Sequence, residues 1–233
     1  MIISHKYRFI FLKTSKTAGT SVEIALSRFC GPDDVITPVS PEDEEKRRLA
    51  GGLPPQNYTG SPLQHTPMQW WKKLSRGKPP MRFYNHIPAR KIRRRVGSEV
   101  WDQYYKFCIV RNPWDRVISQ YYWRQKKLSD EQMPSIREFL ESQDALSLMR
   151  KGFNLYTLGG EVAVDRICRY EQLEADLEEV RQHLELPERL DLPQAKSGIR
   201  RDTRHYRDIL NVEDRDRIAE LFRNEIKLMG YEF

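Results

Sequence analysis

The segment Lys13–Ser21, with the sequence Lys-Thr-Ser-Lys-Thr-Ala-Gly-Thr-Ser, combines side chains that could bind a phosphate group. Lys16 supplies a cation and Gly19 lets the backbone approach a ligand closely. Apolar residues at helical spacing follow, so the segment precedes a helix start, where backbone N–H groups favour an anion. The hydroxyl-bearing residues nearest that start are Thr17, Thr20 and Ser21. A helix start without any ligand is the alternative for this segment taken alone.

A second group of polar residues follows the apolar run at residues 105–110. Arg111 ends that run, an Asn-Pro pair then starts a helix, and Ser119 lies two turns further on. A guanidinium and a hydroxyl in this arrangement could bind a second phosphate. The alternative is that Arg111 pairs with Asp115 and that Ser119 faces solvent.

The elements that must position these residues can be read from the hydrophobic pattern. Apolar runs predict strands at residues 7–13, 105–110 and 162–168. Helical patterns follow each run, starting near residues 21, 113 and 171, and a capping pattern at residues 211–214 announces a C-terminal helix. Strands that alternate with helices predict an α/β fold with a mostly parallel sheet and helices on both faces. Ligands of such sheets bind beyond the carboxyl ends of the strands, where both polar groups lie.

The loop-rich segment 31–85 interrupts this pattern. Ten of the fourteen prolines lie between Gly31 and Pro88, so we expect only short regular structure there. We interpret the segment as an insertion over the acceptor site of a single domain that spans residues 1–233. The pair Trp70-Trp71 within it could be a substrate platform, or could simply pack the insertion onto the body.

Composition limits the class of protein. The chain has 233 residues and a net charge of +7, with basic clusters at residues 90–95 and 196–207 that favour a polyanionic partner. That partner could be a nucleotide, a nucleic acid or an acidic glycan. The three cysteines have no metal-ligand spacing, and we expect buried free thiols. With neither a long apolar run nor a signal peptide pattern, a cytoplasmic location is expected.

Two motifs in this order closely resemble the sulfotransferase superfamily. They are the run Lys16-Thr-Ala-Gly-Thr-Ser and the run 107–121, Phe-Cys-Ile-Val-Arg-Asn-Pro-Trp-Asp-Arg-Val-Ile-Ser-Gln-Tyr. The resemblance is strongest to the branch of heparan sulfate and uronyl 2-O-sulfotransferases and their bacterial relatives. It continues through residues 86–93, 169–177 and 228–233, and it fails over about 31–80. It implies a P-loop-like sheet, 3′-phosphoadenosine 5′-phosphosulfate (PAPS) as donor, and no metal.

The resemblance also implies a role for each motif residue. The 5′-phosphosulfate would lie against the first loop, at Lys16, Thr17, Gly19, Thr20 and Ser21. Arg111 and Ser119 match the pair that binds the 3′-phosphate, and Arg200 and Arg201 are expected to close over the nucleotide. His86 matches the family's general base, with His65 as the alternative, and Lys16 would stabilise the leaving phosphate. The acceptor would be a hydroxyl, by default on a carbohydrate.

Two other functions remain compatible with parts of the sequence. A P-loop kinase of a small molecule shares the scaffold, but its Walker lysine follows the glycine, whereas Lys16 precedes Gly19. A nucleic-acid-binding module would use the two basic clusters. The sequence has no helix-turn-helix, zinc-finger or RNA-binding signature, so a nucleic-acid partner is not expected.

Overall fold

The computed structural model describes residues 1–60, 81–193 and 202–233. The strands in these ranges are β1 (Ile2–Ser4), β2 (Phe9–Leu12), β3 (Val35–Ile36), β4 (Tyr105–Val110), β5 (Thr157–Leu158), β6 (Glu161–Val162) and β7 (Arg166–Arg169). The α-helices are α1 (Gly19–Ser27), α2 (Pro41–Leu49), α3 (Ala89–Val96), α4 (Ser98–Gln103), α5 (Pro113–Arg124), α6 (Ile136–Glu141), α7 (Gln143–Arg150), α8 (Phe153–Tyr156), α9 (Leu173–His183), α10 (Tyr206–Ile209), α11 (Val212–Leu221) and α12 (Arg223–Met229). Short 3₁₀ turns occur at Asp130–Gln132 and Tyr170–Gln172.

Five strands form a central sheet in the order β3-β1-β2-β4-β7. β2, β4 and β7 are parallel neighbours, and β1 is antiparallel to both strands beside it. β3 therefore points in the same direction as β2, and β1 is the reversed strand of the sheet within the described ranges. The mostly parallel sheet is confirmed. The carboxyl ends of β2, β4 and β7 consequently meet at one edge of the sheet.

The strand boundaries differ from the predicted ones in two places. β1 was not predicted, because three residues are too few to show a period, yet Ile2 pairs with Phe11 of β2. The predicted strand 162–168 is in fact two elements: β6 belongs to a separate hairpin with β5, and β7 begins only at Arg166. Asp165 directly precedes β7, and its carboxylate accepts the backbone N–H of Lys106 in the neighbouring strand β4 at 2.7 Å.

Helices cover both faces of the sheet, as predicted. β2 and most of β4 are buried on both sides, which is why they read as continuous apolar runs. One face packs α1 and α9 onto β2 and β4, and its core includes Val22, Leu26, Leu177, Val180, Phe9, Phe11, Phe107 and Ile109. The other face carries α3, α5 and the C-terminal helices over Ile10, Leu12, Cys108 and Val110. The three cysteines are buried free thiols.

Helix α2 is longer than the short structure expected between residues 31 and 85. Ser40 caps it by accepting the N–H of Asp43, and Pro41 occupies the first turn. Acidic residues in its first turn and basic residues in its last turn complement the helix dipole. The run from Glu42 to Arg48, acidic and then basic, therefore indicates a helix. The high proline content of the segment led us to expect only short structure there.

The C-terminal helix is divided. Asn211 accepts the N–H of Asp214 at 2.8 Å, as the capping pattern predicted, but α11 ends at Leu221. Phe222, with φ −112° and ψ 18°, leaves the helical region before α12 begins. Its ring is buried in the core, so packing accounts for a break that the sequence pattern does not show.

Candidate active site

The segments that follow β2, β4 and β7 line one cavity of about 1070 Å³. This is the position at which open α/β sheets bind ligands, and the volume suits a nucleotide together with part of a second molecule. The cavity brings together eight residues that the sequence singled out: Lys16, Thr17, Gly19, Thr20, Ser21, His86, Arg111 and Ser119. Arg200 and Arg201 lie outside the described residues, as do His65, Trp70 and Trp71.

The loop between β2 and α1 has the backbone of an anion cradle. Lys16 and Ala18 both adopt left-handed conformations, with φ of 64° and 56°. Non-glycine residues rarely adopt such angles, and turns of this kind point successive N–H groups into a concavity. Ala18 is the N-cap of α1 and no side chain caps that helix, in contrast to α5, where Asn112 accepts two N–H groups. The start of α1 is thus a helix terminus without a side-chain cap, and such a terminus favours an anion.

The two lysines of this loop have different environments. Lys13 is buried, and its Nζ pairs with the buried carboxylate of Glu23 at 2.6 Å. Burial would raise the pKa of Glu23, but the surrounding cations, Lys13 foremost, lower that pKa to about 2. Lys16 is half-buried at the cavity wall, with Nζ 5.2 Å from the ring centroid of Trp123. Lys13 is thus held by Glu23 in the core, and Lys16 is the more exposed of these two cavity lysines.

Gly19 has a second reason to be glycine. A Cβ at this position would lie 2.9 Å from Cγ of Lys13, so the Lys13 side chain occupies the space beside the helix start. From the sequence alone, Gly19 is expected to let the backbone approach a ligand closely. The absence of a side chain at Gly19 also leaves room for the buried side chain of Lys13.

Arg111 is held by three interactions at the end of β4. Its Nε and Nη2 bind the Asp115 carboxylate at 2.7 and 2.6 Å, and its Nη1 donates to the backbone carbonyl of Lys16 at 3.3 Å. The guanidinium lies 4.0 Å from the ring centroid of Tyr170. The pairing with Asp115 that we considered from the sequence exists, and Arg111 nevertheless lines the cavity. Ser119 is half-buried and lines it too.

Tyr170 and Glu171 are site residues to which the sequence gave no role. Tyr170 stacks on Arg111, and Glu171 accepts the backbone N–H of Asn112 at 2.6 Å and the hydroxyl of Tyr231 at 3.2 Å. Glu171 thereby joins the end of β7 to the start of α5. Both residues belong to the motif Arg169-Tyr-Glu-Gln-Leu, so their position in the resemblance was the available signal.

His86 is half-buried, and its Nδ1 lies 2.9 Å from the backbone carbonyl oxygen of Lys13. Because a carbonyl only accepts, Nδ1 carries the proton, and Nε2 keeps its lone pair. Burial, together with the nearby Lys13 ammonium, lowers the pKa of His86 to about 4. The imidazole is therefore neutral at physiological pH. The other three described histidines, His5, His183 and His205, do not line the cavity.

The cavity wall is predominantly cationic. Its basic residues are Lys13, Lys16, Arg111, Arg124 and Lys151. Glu171 and Glu174 are the acidic ones within the described ranges, and Glu171 uses both carboxylate oxygens in hydrogen bonds. A concave surface with this charge favours a ligand with several negative charges. The described residues contain no cluster of three or more His, Cys, Asp or Glu side chains placed to hold a metal ion.

A cationic cavity lies across the carboxyl ends of the parallel strands, with an uncapped helix start at one strand end and a guanidinium at the next. This arrangement in an α/β fold suits a phosphate-bearing ligand. The sequence profile of the sulfotransferase family matches residues 1–232, and the chain belongs to that family. Family membership supports transfer of a sulfuryl group, as the motifs predicted.

Other comparisons add less about function. The chain is 40% identical to an uncharacterized protein of Archaeoglobus fulgidus over 112 residues, which are 46% of this chain and 88% of that protein. No solved structure matches the chain significantly. Within the parts of the chain that the structure describes, no helix is long and apolar enough to cross a membrane.

Proposed function

We propose that the protein transfers a sulfuryl group from PAPS to an acceptor hydroxyl on a carbohydrate. Family membership supports sulfuryl transfer and a hydroxyl-type acceptor. The observation that carries the choice of donor is the pair of anion sites in one cavity, since the start of α1 and Arg111 line it from adjacent strand ends. A nucleotide with anionic groups on both its 5′ and 3′ oxygens requires two such sites.

The first loop fits the 5′-phosphosulfate. It offers an uncapped helix start, left-handed turns that gather N–H groups, and a lysine at the cavity surface. The residues that would hold this end of the donor are Lys16, Thr17, Gly19, Thr20 and Ser21. Arg111 and Ser119 would bind the 3′-phosphate, with Arg111 oriented by Asp115 and Tyr170. Arg200 and Arg201 would close over the nucleotide.

The chemistry of the site follows from two residues. PAPS would supply the sulfuryl group. The sulfur forms a bond to the acceptor oxygen while its bond to the oxygen of the 5′-phosphate breaks, and the phosphate oxygen keeps the electron pair of that bond. His86 accepts the hydroxyl proton at Nε2, because its Nδ1–H is held by the Lys13 carbonyl. The Lys16 ammonium stabilises the negative charge that develops on the departing phosphate oxygen.

The acceptor site is proposed to lie beside His86 and under the segment 31–85. Four residues of that segment, Pro38, Val39, Ser40 and Asn85, line the cavity. The half-buried ring of Trp123 lies in the same wall and offers an apolar surface of the kind on which a sugar ring can pack. These features support a carbohydrate, as does the resemblance to sulfotransferases that act on sugar hydroxyls.

Calorimetry with adenosine 3′,5′-diphosphate (PAP) tests the donor. The wild-type protein should bind PAP without magnesium and bind adenosine 5′-monophosphate much more weakly, because Arg111 then lacks its ligand. Transfer of ³⁵S from labelled PAPS to alkyl glycosides, glycosaminoglycan oligosaccharides and small alcohols would then identify the acceptor class.

Two outcomes would contradict the proposal. Magnesium-dependent binding of ATP without binding of PAP would favour the kinase. Salt-sensitive binding of DNA or RNA at physiological ionic strength, again without PAP binding, would favour the nucleic-acid-binding module. Label transfer only to small alcohols would leave the donor correct and the carbohydrate assignment wrong.

A further inference from the structure

Lys151 is a cation of the cavity wall to which neither the sequence motifs nor the proposed donor site gives a role. It directly follows α7, and its side chain is exposed at the cavity. Lys13 and Arg111, two other cations of this wall, are each paired with a carboxylate. Within the described part of the chain, no carboxylate pairs with Lys151. Its charge is therefore directed to solvent or to a ligand.

The backbone of Lys151 is fixed to the first loop. Its carbonyl accepts the N–H of Ser15 at 3.2 Å, and its own N–H donates to the carbonyls of Ser147 and Leu148 at 3.1 Å each. The Ser15 bond ties the end of α7 directly to the residue before Lys16. Lys151 therefore keeps its place relative to the anion cradle.

The residue after Lys151 fixes this turn from the other side. A Cβ on Gly152 would lie 2.7 Å from Nη2 of Arg116 and 3.0 Å from Oε2 of Glu225. These two side chains form a fully buried ion pair at 2.8 Å that joins α5 to α12. The turn thus lies directly on the buried pair, which holds Lys151 at the cavity.

Three backbone hydrogen bonds of the first loop connect it to three residues of the cavity. The carbonyl of Lys13 binds His86, and Ser15 binds Lys151, whereas the carbonyl of Lys16 binds Arg111. Lys151 is therefore bound to the loop between the residue that contacts His86 and the residue that contacts Arg111. Electrostatics agree with this placement: burial and Lys13 are the larger causes of the lowered pKa of His86, and the Lys151 charge adds to them.

We propose that Lys151 binds the sulfonate group of the donor, from the side on which the acceptor hydroxyl approaches. This inference rests on the proposed use of PAPS. A sulfonate presents several oxygens, and a flexible lysine ammonium is a point charge that can bind one of them while Lys16 binds the phosphate side. In this proposal Lys151 binds the sulfonate, whereas the phosphates are bound by the first loop and by Arg111.

The test compares two ligands that differ only by the sulfonate, PAPS and PAP, by calorimetry at low temperature. Replacing Lys151 by alanine should weaken PAPS binding about tenfold, the value of a charge-assisted hydrogen bond, and change PAP binding by less than about twofold. Lys151→Arg should recover most of the PAPS affinity. Arg150→Ala is the matched control, since it removes an exposed charge from the adjacent residue, which does not line the cavity.

The outcomes separate this inference from the proposed function. Equal weakening of PAP and PAPS by Lys151→Ala, or unchanged binding of both, would overturn the role of Lys151 while leaving the donor assignment intact. Wild-type protein that binds neither ligand would overturn both. Lys151→Gln, which removes the charge but keeps a polar side chain, should reproduce the selective loss and serves if the alanine variant does not fold.

Discussion

The imidazole of His86 donates a hydrogen bond from Nδ1 to the backbone carbonyl of Lys13, with an N–O distance of 2.9 Å. This bond selects the tautomer in which Nε2 is the proton acceptor. His86 itself has a left-handed backbone, with φ of 59°, and the neighbouring Asn85 accepts from the Thr37 hydroxyl at 3.1 Å. His86 is therefore positioned by the same strand end that leads into the first loop.

Removing His86 should abolish transfer and spare donor binding. We expect His86→Ala to lower kcat at least about 100-fold, the usual contribution of a general base, and to bind PAP with near-normal affinity. The measurements are ³⁵S transfer from PAPS and PAP calorimetry. His205→Ala is the matched control, because His205 lies outside the cavity, and it should retain activity. Near-normal turnover of His86→Ala would contradict the assignment of His86 as the general base and would favour His65 instead.

The lowered pKa of His86 makes stability depend on pH. Burial, then Lys13, lowers this pKa to about 4 in the folded protein, whereas an unfolded histidine titrates near 6.5. The unfolded state therefore binds more protons between these values, so the free energy of unfolding should fall as the pH drops from about 6.5 to 4. A shift of this size corresponds to at most about 3 kcal/mol.

Urea unfolding at pH 7.5 and pH 5 measures this effect. His86→Gln cannot titrate, so its free energy of unfolding should change less between the two pH values than that of the wild type. A direct check is the His86 ring signal in an NMR titration, which should remain that of the neutral form at pH 5.5. A histidine that titrates near 6.5 in the folded protein would show that burial does not act as described.

The elements that carry the site were predictable from sequence because their signals are local. The Asn-Pro start of α5 follows a six-residue strand whose last five residues are buried, and the structure places both at the predicted residues. The order of strand, polar loop and helix also predicted that Lys16 and Arg111 lie beyond the carboxyl ends of strands, and the structure makes those strands neighbours. Periodicity and capping depend on residues close in the chain, so such features can be read directly.

Other features depend on contacts between distant residues. The stacking of Tyr170 on Arg111 joins β7 to β4, and the pairing of Lys13 with Glu23 depends on how α1 packs. The break between α11 and α12 likewise falls at Phe222, whose ring is buried in the core. The backbone of Lys151 is held by a hydrogen bond from Ser15, across more than a hundred residues. No spacing in the sequence indicates these contacts.

Arg111 should discriminate between nucleotides with and without a 3′-phosphate. We expect Arg111→Lys to weaken PAP binding at least about tenfold, because an ammonium replaces the guanidinium that Asp115 holds and that packs on Tyr170. The weaker binding of adenosine 5′-monophosphate should remain nearly unchanged. Tyr170→Leu should have a smaller effect in the same direction. Calorimetry with both nucleotides measures it. Equal losses for the two would show that Arg111 does not bind the 3′-phosphate.

Gly19 should tolerate no added methyl group, whereas Gly31 should. A Cβ at Gly19 would lie 2.9 Å from Cγ of Lys13, whose ammonium is fixed by the buried Glu23, so the side chain cannot move aside freely. We expect Gly19→Ala to destabilise the protein by about 1–3 kcal/mol, as overpacking does, and to weaken PAP binding. At Gly31 the nearest side-chain atom would be 3.7 Å away, so Gly31→Ala should change the unfolding free energy little. Urea unfolding and PAP calorimetry of both variants test the pair, and equal stability of the two would refute this account of Gly19.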